Sequence, residues 1–360
     1  MANSVLLVTL EGINYGNRLQ HYAMQRAIEK YGYEVNSLSI KRSERTDKKL
    51  KETLKIALAF MGIPKYRPSL YKYRRKKRFL AFNRTFLPHM ISVSADDVWR
   101  MDWSSYVCAV TGSDQVWHNW HLKAIPNELA YYYLEFIEES KRVSYAPSFG
   151  FTGFPEEDLE AHRHGLMGMR ALSCREQEGC EMIRALVGRE AQKVLDPTLL
   201  LTAEDWEKIE TKPRFRVPDR YLLLFFLGEE TQEYHSEIEG IANERGLKTL
   251  NIQDPKYCAI SPDEFVWLIH HADTVCTDSF HATAFSITFG RNLRVFHRQE
   301  EGFKDMFGRL HDLLEPLGLM NVVYGVGDAL STALSDEARA YLEQEREASL
   351  RYLRKNLSSQ

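Results

Sequence analysis

One short segment carries side chains that could bind an anion and move a proton. Residues 277–286 read TDSFHATAFS, which places Ser279, His281 and Thr283 within five positions. An apolar run before the segment predicts a buried strand, and the apolar residues after it predict a helix. The first N–H groups of a helix lack internal partners, and the helix dipole adds partial positive charge there. The segment therefore predicts a phosphate or carboxylate site with His281 as acid, base or ligand; the alternative is an imidazole that only bonds a backbone carbonyl.

The composition is that of an ordinary globular protein large enough for two domains. The chain has 360 residues, a formal net charge of -3 and 44% hydrophobic residues. No apolar run approaches the roughly 18 residues of a membrane span, and the N-terminus does not have the pattern of a signal peptide. The five cysteines form no CxxC pair, so we expect reduced thiols in a cytoplasmic protein and no metal site.

Charge is unevenly distributed. Residues 41–84 hold 16 Lys or Arg and 3 Asp or Glu, a net charge of 16 − 3 = +13. We expect a helical insertion at about 41–88. Its basic side chains either form a solvated helix face or contact an anionic partner, such as lipid headgroups at the inner face of the membrane or a lipid-diphosphate carrier. Nucleic acid is not expected, because no known binding module surrounds the segment.

Strand and helix patterns alternate along the chain. Residues 5–10 and 33–40 read as strands on either side of a helix, which is a βαβ unit and implies a parallel sheet. The pattern restarts at residues 221–227. We therefore expect an α/β protein of two Rossmann-like domains with a cleft between them. The expected boundaries are 1–210 for the N-terminal domain, 211–327 for the C-terminal domain, and 328–360 for a C-terminal helix that packs back on the first domain.

Polar side chains also follow the predicted strands of the first half. Arg175 comes after a short strand, at the edge where α/β folds bind ligands, and its guanidinium fits a carboxylate or phosphate. The alternative is an ion pair with a neighbouring glutamate. Asn14, Gly16 and Asn17 occupy the first β–α turn, where they line a sugar site or cap the helix.

A second polar turn follows the strand at 106–110. Asp114 is a candidate base for a sugar hydroxyl, with Gln115 beside it, and Trp117 is a candidate platform for a sugar ring. The alternative places Asp114 at a helix cap and Trp117 in the core. Asp278 either orients His281 or caps the helix.

Six segments, in order, resemble signatures of the polysaccharide pyruvyl transferase family. They are NYGNRLQHYA at 14–23, GSDQVW at 112–117, SYAPSFG at 144–150, SCRE at 173–176, LDPT at 195–198 and TDSFHATAFS at 277–286. The resemblance covers nearly the whole chain. It implies a glycosyltransferase-B-like fold and transfer of the enolpyruvyl unit of phosphoenolpyruvate onto a sugar, which gives a pyruvate ketal on an exopolysaccharide or its precursor.

The resemblance also implies roles for the motif residues. Arg175, Ser279, His281 and Thr283 would bind the donor, and Asn14, Gly16, Asn17, Gln115 and Trp117 the acceptor, with His281 and Asp114 in catalysis. Phosphoenolpyruvate would be a co-substrate, and no cofactor is expected. The acceptor would be a glycan or lipid-linked saccharide. Ser279 stands where family members often have arginine, and Ala282 where glycine is usual.

Two other functions fit the same fold. A nucleotide-sugar glycosyltransferase would need groups for a nucleobase and a diphosphate in the second domain, and the sequence shows no clear acidic pair for a ribose there. A non-catalytic glycan-binding protein would bind the acceptor without turnover.

Overall fold

The computed structural model describes residues 3–41, 46–118, 127–255, 257, 259–299 and 307–358. Two compact units are present, and each is described by itself. The first unit comprises Met1–Ser43, Phe86–Leu201 and Leu342–Gln360, and the second comprises Glu44–Thr85 and Thr202–Tyr341.

The first unit is built on a parallel five-stranded sheet in the order β3-β2-β1-β4-β5. Its strands are β1 (Ser4–Val8), β2 (Glu34–Lys41), β3 (Met90–Ser94), β4 (Cys108–Thr111) and β5 (Arg142–Ser144). Val5 pairs with Val35 on one side and Cys108 on the other. Residues 5–8 are fully buried, because a parallel sheet is covered on both faces. A two-stranded parallel sheet follows, with β6 (Ser173–Cys174) and β7 (Gln192–Lys193).

The second unit has a four-stranded parallel sheet in the order β11-β10-β8-β9. Its strands are β8 (Tyr221–Phe225), β9 (Lys248–Asn251), β10 (Thr274–Thr277) and β11 (Asn292–Val295). Thr277, at the end of β10, pairs with Phe225 and Val295. Both sheets agree with the expected α/β class.

Helices alternate with the strands along the chain, as the sequence predicts. They are α1 (Tyr15–Glu29), α2 (Thr46–Phe60), α3 (Arg67–Phe86), α4 (Glu128–Tyr132), α5 (Leu159–Met167), α6 (Gln177–Val187), α7 (Ala203–Glu207), α8 (Gln232–Arg245), α9 (Pro262–His270), α10 (Phe280–Thr288), α11 (Gly308–Leu314) and α12 (Asp336–Leu357). In α9, Ser261 and Glu264 form a reciprocal capping box, which fixes where this helix begins.

The division of the chain differs from the expected one in the basic segment. Residues 44–85 group with the second unit rather than the first, because Arg78 of α3 forms an ion pair with Glu264 and donates to the carbonyl of Ala259. The last turns of α12 belong to the first unit, where Leu353 and Leu357 are fully buried in a core that includes Val5.

Four cysteines have free, buried thiols: Cys108, Cys174, Cys180 and Cys276. The fifth, Cys258, lies outside the described residues. In the part of the chain that the structure describes, no helix combines the length and hydropathy of a membrane-spanning segment.

Candidate active site

The turn between β1 and α1 is held by the two asparagines of the first motif. Asn14 is the N-cap of α1, and its side-chain oxygen accepts from the N–H of Gly16 at 2.8 Å. The Asn17 amide donates to the carboxylate of Asp114. An added Cβ at Gly12 would lie 2.5 Å from the Asn17 side-chain oxygen, so a larger residue there would displace the Asn17 amide. Asn14 therefore caps the helix, while Asn17 orients an acidic side chain of the next loop.

Asp114 lies in a loop of unusual backbone conformation after β4. Its φ is 65° and that of Ala146, after β5, is 50°, a left-handed region that non-glycine residues adopt at a cost. The loops are joined because Ser148 N–H donates to the carbonyl of Asp114 at 2.8 Å. Strained backbone of this kind concentrates at functional sites, so the carboxylate of Asp114 is held at the ligand-binding edge of the first sheet.

Arg175 is surrounded by carboxylates. Its guanidinium donates to Glu176 at 2.8 Å and Asp196 at 3.0 Å, and lies 3.7 Å from Asp114. The side chain is 3% exposed. Burial alone would lower the pKa of Arg175, but attraction to the three carboxylates outweighs it and raises the pKa. Because three carboxylates already compensate this charge, Arg175 helps to hold the site together, and its expected role in donor binding stays a prediction.

Asp196 is the centre of this network, although its Asp-Pro sequence reads as a simple turn. One carboxylate oxygen accepts from the N–H and hydroxyl of Thr198, at 3.0 and 2.7 Å. The other accepts from Arg175 and from the Ser113 hydroxyl at 3.3 Å. The turn therefore ties β7 to the loop that carries Asp114.

Trp117 is a core residue. It is fully buried, stacks on Tyr133 with ring centroids 5.0 Å apart, and packs against Phe149. The expectation that Trp117 stacks on a sugar is therefore wrong for this conformation. Gln115 is also buried and lies against the backbone of Gly150, where an added Cβ would come within 2.4 Å of the Gln115 amide nitrogen.

Arg18, on the first turns of α1, is a buried cation that sequence reasoning missed. Its Nε and Nη1 are buried and have no hydrogen-bond partner among the described residues. Burial lowers the pKa of Arg18, and the nearby Glu11 carboxylate partly offsets this. Buried donors without acceptors are costly, and such a group is a candidate ligand contact. Its only sequence signal is a cation inside the first motif.

In the second unit, Asp278 anchors a neighbouring loop. Its two carboxylate oxygens accept from the N–H groups of Leu227 and Gly228, at 2.7 and 2.8 Å. The Nε of Arg298 lies 3.6 Å from the same carboxylate. Asp278 therefore joins the loops after β8, β10 and β11, which is neither of the two roles expected for it.

The start of α10 carries the three polar side chains of the opening segment. Ser279 is the N-cap residue without a side-chain capping bond, and its N–H donates to the Thr277 hydroxyl at 3.0 Å. His281 is 8% exposed and has the ring of Phe280 edge-on beside it. Thr283 is fully buried, which leaves Ser279 and His281 nearer to solvent than Thr283.

A shallow cleft adjoins this helix start and contains two arginines that the sequence did not single out. It is lined by Asp278, Phe280, Arg298, Phe307, Arg309 and Leu310, and it is partly open to solvent. The side chain of Arg298 is 15% exposed. Two guanidinium groups, one carboxylate and a helix N-terminus make this a cationic surface cleft suited to contact with an anion.

Together these features define an α/β transferase with one polar site in each Rossmann-like unit and a glycosyltransferase-B-like fold. The chain belongs to the polysaccharide pyruvyl transferase family, whose family model matches residues 14–297. Among curated protein sequences, none matches the chain. The predicted family and fold class are thus confirmed.

The chain is similar to solved structures at very low identity, and one of them has a TM-score above 0.5. A protein described as a UDP-N-acetylglucosamine 2-epimerase from Listeria monocytogenes is 10% identical, with a TM-score of 0.51 over 99% of this chain and 91% of that one. An alpha-glucosyltransferase in complex with UDP is 8% identical, with a TM-score of 0.45 over 99% and 96% of the two chains. At these identities the likeness concerns the fold alone.

Proposed function

We propose that the protein transfers the enolpyruvyl unit of phosphoenolpyruvate onto a pair of sugar hydroxyls and forms a pyruvate ketal. The observation that carries this proposal is the cationic cleft at the start of α10, in a chain of the pyruvyl transferase family. Phosphoenolpyruvate has a phosphate and a carboxylate, so its site needs cations for two anions.

We assign donor binding to the second unit. Arg298 and Arg309 line the cleft with the Asp278 carboxylate, and they would supply the charge that Ser279 lacks. Ser279 and the N–H groups of α10 would hold the phosphate, with Thr283 in support behind them. In this proposal the donor cations are Arg298 and Arg309 of the second unit, in addition to or in place of Arg175.

In the chemistry we propose, His281 gives a proton to the methylene carbon of phosphoenolpyruvate, which becomes a methyl group. A sugar oxygen then bonds to C2, and its proton passes to a general base, which returns it to the leaving phosphate. Cleavage of the bond between C2 and the phosphate oxygen releases inorganic phosphate, and the second hydroxyl bonds to C2 and gives its proton back to His281. General acid–base help of this kind contributes about 10²–10⁴-fold to rate.

We assign acceptor binding to the first unit. Asn14, Gly16 and Asn17 form the turn beside Asp114, and Gln115 follows it. Arg18 on the same helix adds a buried cation, which favours an acceptor that carries a phosphate or carboxylate, such as a lipid-linked saccharide precursor. The reaction would take place in the cytoplasm, where phosphoenolpyruvate is made.

Incubation with phosphoenolpyruvate labelled in the pyruvyl carbons tests the proposal directly. We expect label in the glycan and release of one inorganic phosphate for each pyruvyl group. Consumption of a UDP- or GDP-sugar in its place would favour the glycosyltransferase alternative, and saturable acceptor binding without either reaction would favour a glycan-binding protein.

Arg298→Ala tests the donor assignment. We expect a rise in KM for phosphoenolpyruvate of about 10- to 100-fold, because a charged hydrogen bond contributes about 1.5–3 kcal/mol. Lys248→Ala, an exposed change on the edge strand β9, is the matched control. Adding Ser279→Arg to Arg298→Ala should restore part of the affinity. An unchanged KM in Arg298→Ala would contradict the assignment.

A further inference from the structure

The helical hairpin of α2 and α3 presents an exposed surface that the transfer chemistry does not use. Gly62, with φ 85°, ends α2, and Pro64 begins the short connection to α3. The hairpin is fixed to the second unit through α3, where Phe79 and Phe82 are buried and Arg78 pairs with Glu264. Its base is therefore anchored.

Large apolar side chains are exposed on α2 and in the connection to α3. Leu50 is 71% exposed, Leu54 59%, Phe60 62%, Met61 68% and Ile63 38%. Leu50, Leu54 and Met61 recur at i, i+4 and i+11, a spacing that lines one helical face. Large apolar side chains at this exposure are normally scattered singly, and a group of them marks an interaction surface.

The same hairpin also exposes many basic side chains. Eight Lys or Arg residues of the hairpin are exposed, and they are Lys51, Lys65, Arg67, Lys72, Arg74, Lys76, Lys77 and Arg84. From residue 50 to residue 84 the sequence contains a single acidic residue, Glu52, which pairs with Lys55 at 2.7 Å. Apolar residues flanked by cations are typical of segments that lie in the interface of an anionic membrane.

We propose that the α2–α3 hairpin docks the protein on an anionic lipid bilayer. Phe60, Met61 and Ile63 enter the boundary between headgroups and acyl chains, and the surrounding Lys and Arg side chains contact lipid phosphates. A second copy of the chain would place like charges against each other, and nucleic acid would leave the apolar face exposed. An anionic bilayer offers acyl chains to the apolar residues and phosphates to the Lys and Arg side chains, so it matches both parts of the surface.

Co-sedimentation with lipid vesicles tests this surface. We expect the full-length protein to bind vesicles of equimolar phosphatidylcholine and phosphatidylglycerol, and to remain in solution with phosphatidylcholine alone. Each basic side chain near an anionic surface strengthens binding about fivefold. The triple variant Lys72→Gln, Arg74→Gln, Lys76→Gln should therefore weaken binding roughly a hundredfold. Raising the salt concentration should also weaken binding.

A second variant tests the apolar part. Phe60→Ser with Met61→Ser should reduce binding to the anionic vesicles, whereas Met167→Ser with Val326→Ser, two similarly exposed apolar residues elsewhere, should leave it unchanged. Thermal melting of each variant checks that it is folded. Equal binding to neutral vesicles, no binding to either kind, or a dimer in light scattering that Phe60→Ser and Met61→Ser dissociate would overturn the proposal.

Discussion

Replacing Arg175 by alanine should destabilise the first unit strongly. The side chain is 3% exposed and pairs with Asp196, whose own side chain is fully buried. Removing one partner of a buried pair leaves an uncompensated charge, which costs about 3–5 kcal/mol. At roughly 2–4 °C for each kcal/mol in a protein of this size class, we expect the melting temperature to fall by about 6–20 °C.

Thermal and urea unfolding measure this change, and three further variants identify its cause. Arg184→Ala removes a solvent-exposed pair with Glu190 at 3.0 Å, and should cost only about 0–1 kcal/mol. Asp196→Asn added to Arg175→Ala should cost less than the sum of the two changes, by about 0.5–3 kcal/mol, because the two residues are in contact. Arg175→Lys keeps the charge but loses the planar guanidinium with its several N–H donors, so we expect a smaller loss of stability than for Arg175→Ala.

This reasoning would be refuted if substitutions of Arg175 weakened donor binding without lowering the stability of the protein. If Arg175→Ala or Arg175→Lys kept the wild-type melting temperature while KM for phosphoenolpyruvate rose a hundredfold, the guanidinium would be a donor ligand. The neighbouring carboxylates raise the pKa of Arg175 above its ordinary value. Its stabilising contribution should therefore persist across the neutral range and be lost only at strongly alkaline pH.

The remaining predictions concern three other buried side chains. Burial, with help from Arg18, lowers the pKa of His21 from 6.5 to about 3, so the unfolded chain takes up a proton that the folded protein does not. Stability should fall by about 1.4 kcal/mol for each pH unit below about 6.5, and His21→Gln should reduce this slope in urea titrations at several pH values. Trp117→Ala should cost about 3–5 kcal/mol of stability in the same assay; a wild-type melting temperature with a raised acceptor KM would restore the sugar-stacking role. Arg18→Gln should leave stability unchanged or higher while raising the acceptor KM, and an unchanged acceptor KM would remove it from the site.

The sequence predicts the elements and the turns of this protein well, because those signals are local. A buried strand such as β8 is a continuous apolar run, and the start of α10 is marked by a strand, a polar turn and an apolar helix within a few positions. Motifs also identify which loops gather at the sheet edges, since the carboxyl ends of parallel strands share an edge.

Pairing within those loops is not a local property, and the roles of individual residues depend on it. Arg175 meets Asp114 from 61 positions away and Asp196 from 21 positions away. The adjacent Glu176 indicates one ion pair for Arg175, but nothing near Arg175 in the chain indicates the other two carboxylates. The role of Trp117 is equally hard to predict from sequence. A tryptophan after a polar turn could be a sugar platform or a core residue, and only its contacts with Tyr133 and Phe149 decide between them.

The replacement of an expected arginine by Ser279 shows how register can compensate for such a change. Strands β10 and β11 are adjacent and parallel, with Thr277 opposite Val295. The loop that follows β11 therefore begins beside the loop that follows β10, and it brings Arg298 within 3.6 Å of Asp278, the residue before Ser279. A cation absent from one loop can thus lie on the neighbouring loop of the sheet, although Arg298 is 19 positions after Ser279 and outside the motif. Strand register, and not the motif alone, decides which side chains share this edge of the sheet.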